Sequence, residues 1–125
     1  REIFVASEKA HPIREEEFIK IERIKGKLLL IGAKDDVLWE TEKYIKRMEK
    51  RLEEREHTCE VESYIYEHAT HFVFPEGMVK TILPVGGDLL TRVFDAGRKF
   101  PKECKAARID IDRRITQAVD AWKTV

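Results

Sequence analysis

Serine is nearly missing from this 125-residue chain, and neither Ser7 nor Ser63 sits in the Gly-x-Ser-x-Gly turn that exposes a nucleophile at a strand-to-helix corner. Cysteine is as scarce. Cys59 and Cys104 are not flanked by glycines either, and they lack the Cys-x-x-Cys spacing of a zinc or redox site. A single pair is weak ground for a disulfide framework, so a reducing cytoplasm is the expected compartment. Charge of one sign is absent too: 24 Lys and Arg balance 24 Asp and Glu, and the two signs are interleaved. No field therefore draws nucleic acid or an anionic membrane. No apolar run approaches the roughly 20 residues that span a bilayer, and Arg1 to Ala6 is too short and too acidic for a signal peptide. Gly86-Gly87 is followed by no Lys-Ser/Thr and resembles no phosphate loop. Neither a cofactor nor a metal is expected.

What is present suits one small domain with a core, 1–125. The methionines Met48 and Met78 are internal, and the chain starts at Arg1, which leads us to expect a piece of a longer protein. From Pro12 to Ile24 the apolar residues keep no clean period, predicting only a short helix or an irregular lead-in that ends at Gly26. Residues 28–33 form a continuous apolar run of the kind found in an internal parallel strand buried on both faces. Thr41 is a candidate cap for an amphipathic helix over about 41–56, marked by Tyr44, Ile45, Met48 and Leu52. Residues 61–66 alternate and are rich in β-branched and aromatic types, predicting a second strand.

This strand–helix–strand order predicts a right-handed parallel crossover in an α/β fold, with helices on both faces of the sheet. Between His71 and Pro101, the residues Pro75, Gly77, Pro84, Gly86 and Gly87 predict a long exposed loop. Pro101 then opens a last helix, over about 102–123, whose stripe of Cys104, Ala107, Ile111, Ile115, Ala118, Val119 and Trp122 should pack on the sheet. No internal repeat or low-complexity segment is evident.

The crossover brings the ends of both strands to one sheet edge, where ligands of open α/β sheets bind. Asp35-Asp36 follows the first strand, and His68-Ala69-Thr70-His71 follows the second. Acid, then histidine, is the order in which an α/β-hydrolase delivers the last two members of its triad. Nucleophilic acyl transfer needs such a base beside the nucleophile, and an acid that fixes the tautomer of the base. The hydrolase acid commonly occurs as a small residue, two variable ones, Asp, one variable residue and two apolar ones. Ala33-Lys34-Asp35-Asp36-Val37-Leu38-Trp39 fits with Asp36 as the acid. Asp35, the competing acid, is expected to hold the turn through backbone hydrogen bonds. His71 is the expected base, and His68 a loop-packing competitor. Trp39 reads as a buried brace of the turn, with a place along an acyl path as the alternative.

Lys25 to Ile31 leading into Asp35-Asp36-Val37-Leu38-Trp39, then Tyr66 to His71, Gly86-Gly87 and the closing Asp120-Ala121-Trp122, resemble the C-terminal catalytic domain of the acyl-CoA thioester hydrolase and bile acid-CoA:amino acid N-acyltransferase family. The similarity covers about residues 20–124. Thr70 stands where that family usually has Gly. The resemblance implies an α/β-hydrolase in which a Ser or Cys attacks an acyl-CoA thioester, and water or an amine then takes the acyl group. It carries Asp36 and His71 over as acid and base.

The chain is accordingly expected to be the C-terminal portion of such a domain, to lack the upstream nucleophile and to be inactive alone. The substrate expected for the parent protein is an acyl-CoA or another ester, and a homodimer through an exposed sheet edge is a further expectation. A dienelactone-hydrolase-like esterase or peptidase has the same acid and base, and a non-catalytic α/β interaction module is the third alternative.

Overall fold

The computed structural model describes residues 2–72, 74–82 and 87–123. Helix α1, Glu2–Ala10, is followed by two 3-10 turns, Glu15–Glu17 and Ile21–Arg23. Next come β1 (Lys27–Ala33), α2 (Thr41–Glu53) and β2 (Glu60–Tyr66). Four helices complete the described chain: α3 (Glu76–Ile82), α4 (Gly87–Thr91), α5 (Asp95–Lys99) and α6 (Pro101–Lys123).

The two strands pair in parallel, from Lys27 opposite Glu60 to Ala33 opposite Tyr66, in a sheet that is two-stranded among the described residues. Gly26 sets this register. Its φ of 111° lies where a side chain would be strained, and its carbonyl accepts the Glu60 N–H at 2.8 Å. Side chains alternate across a strand, so successive residues of β1 meet different helices. Gly32 faces α2, where an added Cβ would come within 2.5 Å of Ile45 Cδ1; the absent side chain is what lets helix and strand approach. Ala33 faces α6 and is buried with Ala69 and Ala107. Helices thus cover both faces of β1, as its apolar run predicts.

At the opposite end of the sheet Ile21, Leu52 and Cys59 form a second apolar cluster, flanked by Ile24, Leu28 and Met48. The irregular lead-in is therefore partly core. On the α6 side the Tyr66 hydroxyl donates to Asp110 Oδ2 at 2.7 Å, and the Arg114 guanidinium lies 3.6 Å from the centre of the Tyr64 ring. Burial and the neighbouring Asp110 carboxylate push the Tyr66 hydroxyl up to about 12. It stays a proton donor to α6 over the whole physiological range.

Four expectations need correction. Helix α2 stops at Glu53 rather than 56, because residues 53–56 hold no apolar side chain to bury and glutamates sit poorly at a helix C-terminus. Thr41 is not its cap: Glu40 holds that position, and the Thr41 hydroxyl donates to the Ala33 carbonyl at 2.8 Å while accepting the Ala33 N–H at 3.1 Å. The segment predicted as a long loop is largely helical. Gly87 begins α4 and Pro75 precedes α3, while Pro84 and Gly86 lie outside the described residues. Finally, the α6 stripe is buried only at its start, through Cys104, Ala107 and Ile111, and Val119 and Trp122 remain exposed.

The short helices are held from α6. Arg108 is buried to 2 % exposure, and its Nε donates to Glu76 Oε2 of α3 at 2.9 Å. The same guanidinium bonds Thr91 Oγ1 at 3.2 Å and the Asp88 carboxylate of α4. Helices this short have little stability of their own, so these tertiary contacts decide where they form.

Candidate active site

The carboxyl ends of β1 and β2 each run into a short turn, and the two turns are stitched together residue by residue. The Lys34 N–H donates to the Tyr66 carbonyl at 3.0 Å, which carries the sheet one bond past β1. Side chains continue the pairing: Lys34 with Glu67 at 2.5 Å, Asp35 with His68 at 2.9 Å and Asp36 with His71 at 3.0 Å. Both candidate acids and both candidate bases therefore meet, as two adjacent acid–histidine pairs.

The pairs differ in how their acids are held. Asp36 is only 2 % exposed, and Oδ1 accepts the backbone N–H groups of Leu38 at 2.9 Å and Trp39 at 3.0 Å. Its second oxygen, Oδ2, faces His71 Nδ1. A carboxylate accepts only, so Nδ1 carries the hydrogen and Nε2 of neutral His71 keeps its lone pair. The role of holding the turn, expected of Asp35, belongs to Asp36. Asp35 is half-buried, and its Oδ2 bonds His68 Nδ1.

His71 is half-buried beneath an aromatic neighbour. The Trp39 ring stands nearly perpendicular to it, with centroids 5.1 Å apart, and Phe4 of α1 meets the indole at 6.2 Å. Helix α1 is anchored through Glu8, which binds Lys43 at 2.6 Å and Arg47 of α2; these cations hold the Glu8 carboxyl below its usual range. Trp39 is 48 % exposed, so it is not the buried brace the sequence predicts. Val37, Leu38 and Phe74 are exposed as well, giving the histidine edge an apolar surface.

Thr70, the departure from Gly, is explained by its setting. No non-glycine residue in the described chain has positive φ, so the position needs no glycine, and the buried Thr70 hydroxyl accepts the Phe72 N–H at 3.2 Å. It braces the turn that carries His71.

The nucleophilic side chains discounted in the sequence lie elsewhere. Ser7 is on α1 and Ser63 on β2. Cys59 and Cys104 are free and buried; Cys59 sits 3.3 Å from His57 Nδ1, and burial pushes the Cys104 thiol up, away from the reactive thiolate. Among the described residues no group of three or more His, Cys, Asp or Glu is arranged to hold a metal ion, and no helix is long and apolar enough to cross a membrane.

The Asp35–His68 pair, the Phe4–Trp39–His71 row and the Phe100 ring beneath His68 were not anticipated as parts of this edge. One signal for the first was available. With β1 and β2 in parallel register, residues just past Ala33 must face residues just past Tyr66, so Asp35 belongs opposite the first histidine and Asp36 near the second.

Residues 4–78 match the family model described as BAAT / Acyl-CoA thioester hydrolase C terminal. The match takes in more than half of the chain, with β1, α2, β2 and both acid–histidine pairs. No curated protein and no solved structure matches the chain.

Proposed function

Because this chain belongs to the BAAT / acyl-CoA thioester hydrolase C-terminal family, we propose that it supplies the acid and base of an acyl-transfer relay, Asp36 and His71. The observation that carries this reading is the 3.0 Å bond between His71 Nδ1 and an Asp36 carboxylate that is buried and pinned by two backbone N–H groups. An acid so held keeps the imidazole in one tautomer and orientation, with its Nε2 lone pair available as a base. In this reading the chain is the C-terminal portion of a longer α/β-hydrolase domain, and a Ser or Cys upstream of it is the nucleophile. A Gly-x-Ser-x-Gly or Gly-x-Cys-x-Gly turn about 80–120 residues before Asp36 would supply that nucleophile.

The chemistry follows from the ring. His71 Nε2 takes the nucleophile's proton as the nucleophile bonds to the thioester carbonyl carbon, and the Asp36 carboxylate stabilises the imidazolium that results. As the carbon–sulfur bond breaks, the imidazolium returns its proton to the departing thiolate, leaving an acyl-enzyme. His71 then deprotonates water, or an amine, which attacks the acyl carbon and releases the acid or amide. The nucleophile recovers its proton from His71. Trp39, edge-on against the His71 ring, narrows the directions from which substrate approaches the histidine.

The test is thioester turnover of the full-length protein with His71→Ala. Loss of a triad member normally costs several orders of magnitude in kcat, so a fall of about 10⁴ is expected. Unchanged turnover would remove His71 from the mechanism.

A further inference from the structure

The second acid–histidine pair has no part in the relay, yet it is built with comparable care. His68 Nδ1 lies 2.9 Å from Asp35 Oδ2 on one side of the 67–71 turn. Its ring also stacks on Phe100, with centroids 3.7 Å apart and planes 13° from parallel. Phe100 joins α5 to α6, so His68 ties the histidine-bearing turn both to the acid-bearing turn and to the helix that covers the sheet. Three residues later the same turn delivers His71 to Asp36.

Beside the pair, Lys34 and Glu67 bond each other, and Asp95 and Lys99 of α5 line a groove of ≈ 200 Å³ with Asp35 and Phe100.

We infer that His68 is a positioning residue for His71: through Asp35 and Phe100 it fixes the turn that presents His71 to Asp36. This inference rests on His71 being the base, but its test does not involve turnover. Failure of the His71→Ala experiment would remove the catalytic reading and leave the spectroscopic result intact.

The test is the imidazole ¹H–¹⁵N spectrum of the full-length protein for wild type and three variants. In wild type His71 is expected as the Nδ1–H tautomer. His68→Ala frees the turn, and His71 becomes a mixture of tautomers; Asp35→Ala, which removes the acceptor of the same bond, gives the same mixture. His68→Asn, whose side-chain amide offers a donor near the position of Nδ1, restores the single tautomer. A single Nδ1–H tautomer in folded His68→Ala or Asp35→Ala would overturn the inference, as would a mixture in folded His68→Asn. Backbone amide spectra identify a variant that has unfolded; if His68→Ala does so, Asp35→Ala and His68→Asn decide.

Discussion

At the scale of single residues, the chain offers two acids and two histidines at one sheet edge, and their surroundings separate them. Asp36 is buried with both carboxylate oxygens used, one by the Leu38 and Trp39 N–H groups and one by His71. Asp35 is half-buried and lacks that backbone cradle in favour of His68. The sequence pattern of small residue, two variable residues, Asp, then apolar pair points to the same acid, but it cannot show why. The reason is that the apolar residues after Asp36 donate their backbone N–H groups to it. Asp36→Asn should keep the turn, because the amide oxygen still accepts those two hydrogens. Its NH₂ group would face His71 Nδ1 and favour the Nε2–H tautomer. Turnover of the full-length protein should then fall by about 10⁴ with little change in thermal midpoint, measured by thioester cleavage and by circular dichroism. A fall in turnover accompanied by unfolding would reassign Asp36 to structure.

At the scale of elements, the parts visible in the sequence are those whose pattern is local. The run Leu28 to Ala33, the alternation from Val61 to Tyr66 and the spacing of Ile45, Met48 and Leu52 place β1, β2 and α2 within a few residues. Their parallel crossover then brings Asp36 and His71 to one edge. Helices α3 and α4 were hidden behind Pro75, Gly77 and Gly87, which read as turns but stand at the starts of short helices held from a distance by Arg108. Helix α1 buries no residue and is held instead through Phe4 and Glu8, contacts made far along the chain.

The lead-in before β1 likewise depends on long-range pairing. Arg51 of α2 donates to Glu22 at 2.6 Å and to Glu15 at 2.9 Å, and it draws both carboxyls down to about 2. Lowered carboxyls contribute stability that is present above the ordinary carboxylate range near pH 4.5 and lost as pH falls toward 2. The difference in thermal midpoint between wild type and Arg51→Met should therefore be full at pH 6 and shrink steadily from about pH 4.5 to about 2. A difference that is constant with pH would show that Arg51 acts through packing alone.

At the scale of the whole molecule, the chain divides into a half that carries the acid–histidine edge and a half that buttresses it. The family match ends at Met78, inside α3, while α6 supplies the Ala107 contact beneath Ala33 and Ala69. Arg108 joins the halves. Replacing it with Ala would leave buried Glu76 with only the more distant Lys80, 3.9 Å away, so unfolding free energy should fall by about 3 kcal/mol in a denaturant titration. A loss below about 1 kcal/mol would mean that water or Lys80 compensates Glu76. The histidine edge itself is apolar, with Trp39 half-exposed over His71 beside Val37, Leu38 and Phe74. The assignment of acid and base is most directly tested by comparing thioester turnover of the full-length protein with His71→Ala and with His68→Asn. Turnover should drop by about 10⁴ in the first and far less in the second; the reverse order would show that Asp35 and His68, not Asp36 and His71, are the working pair.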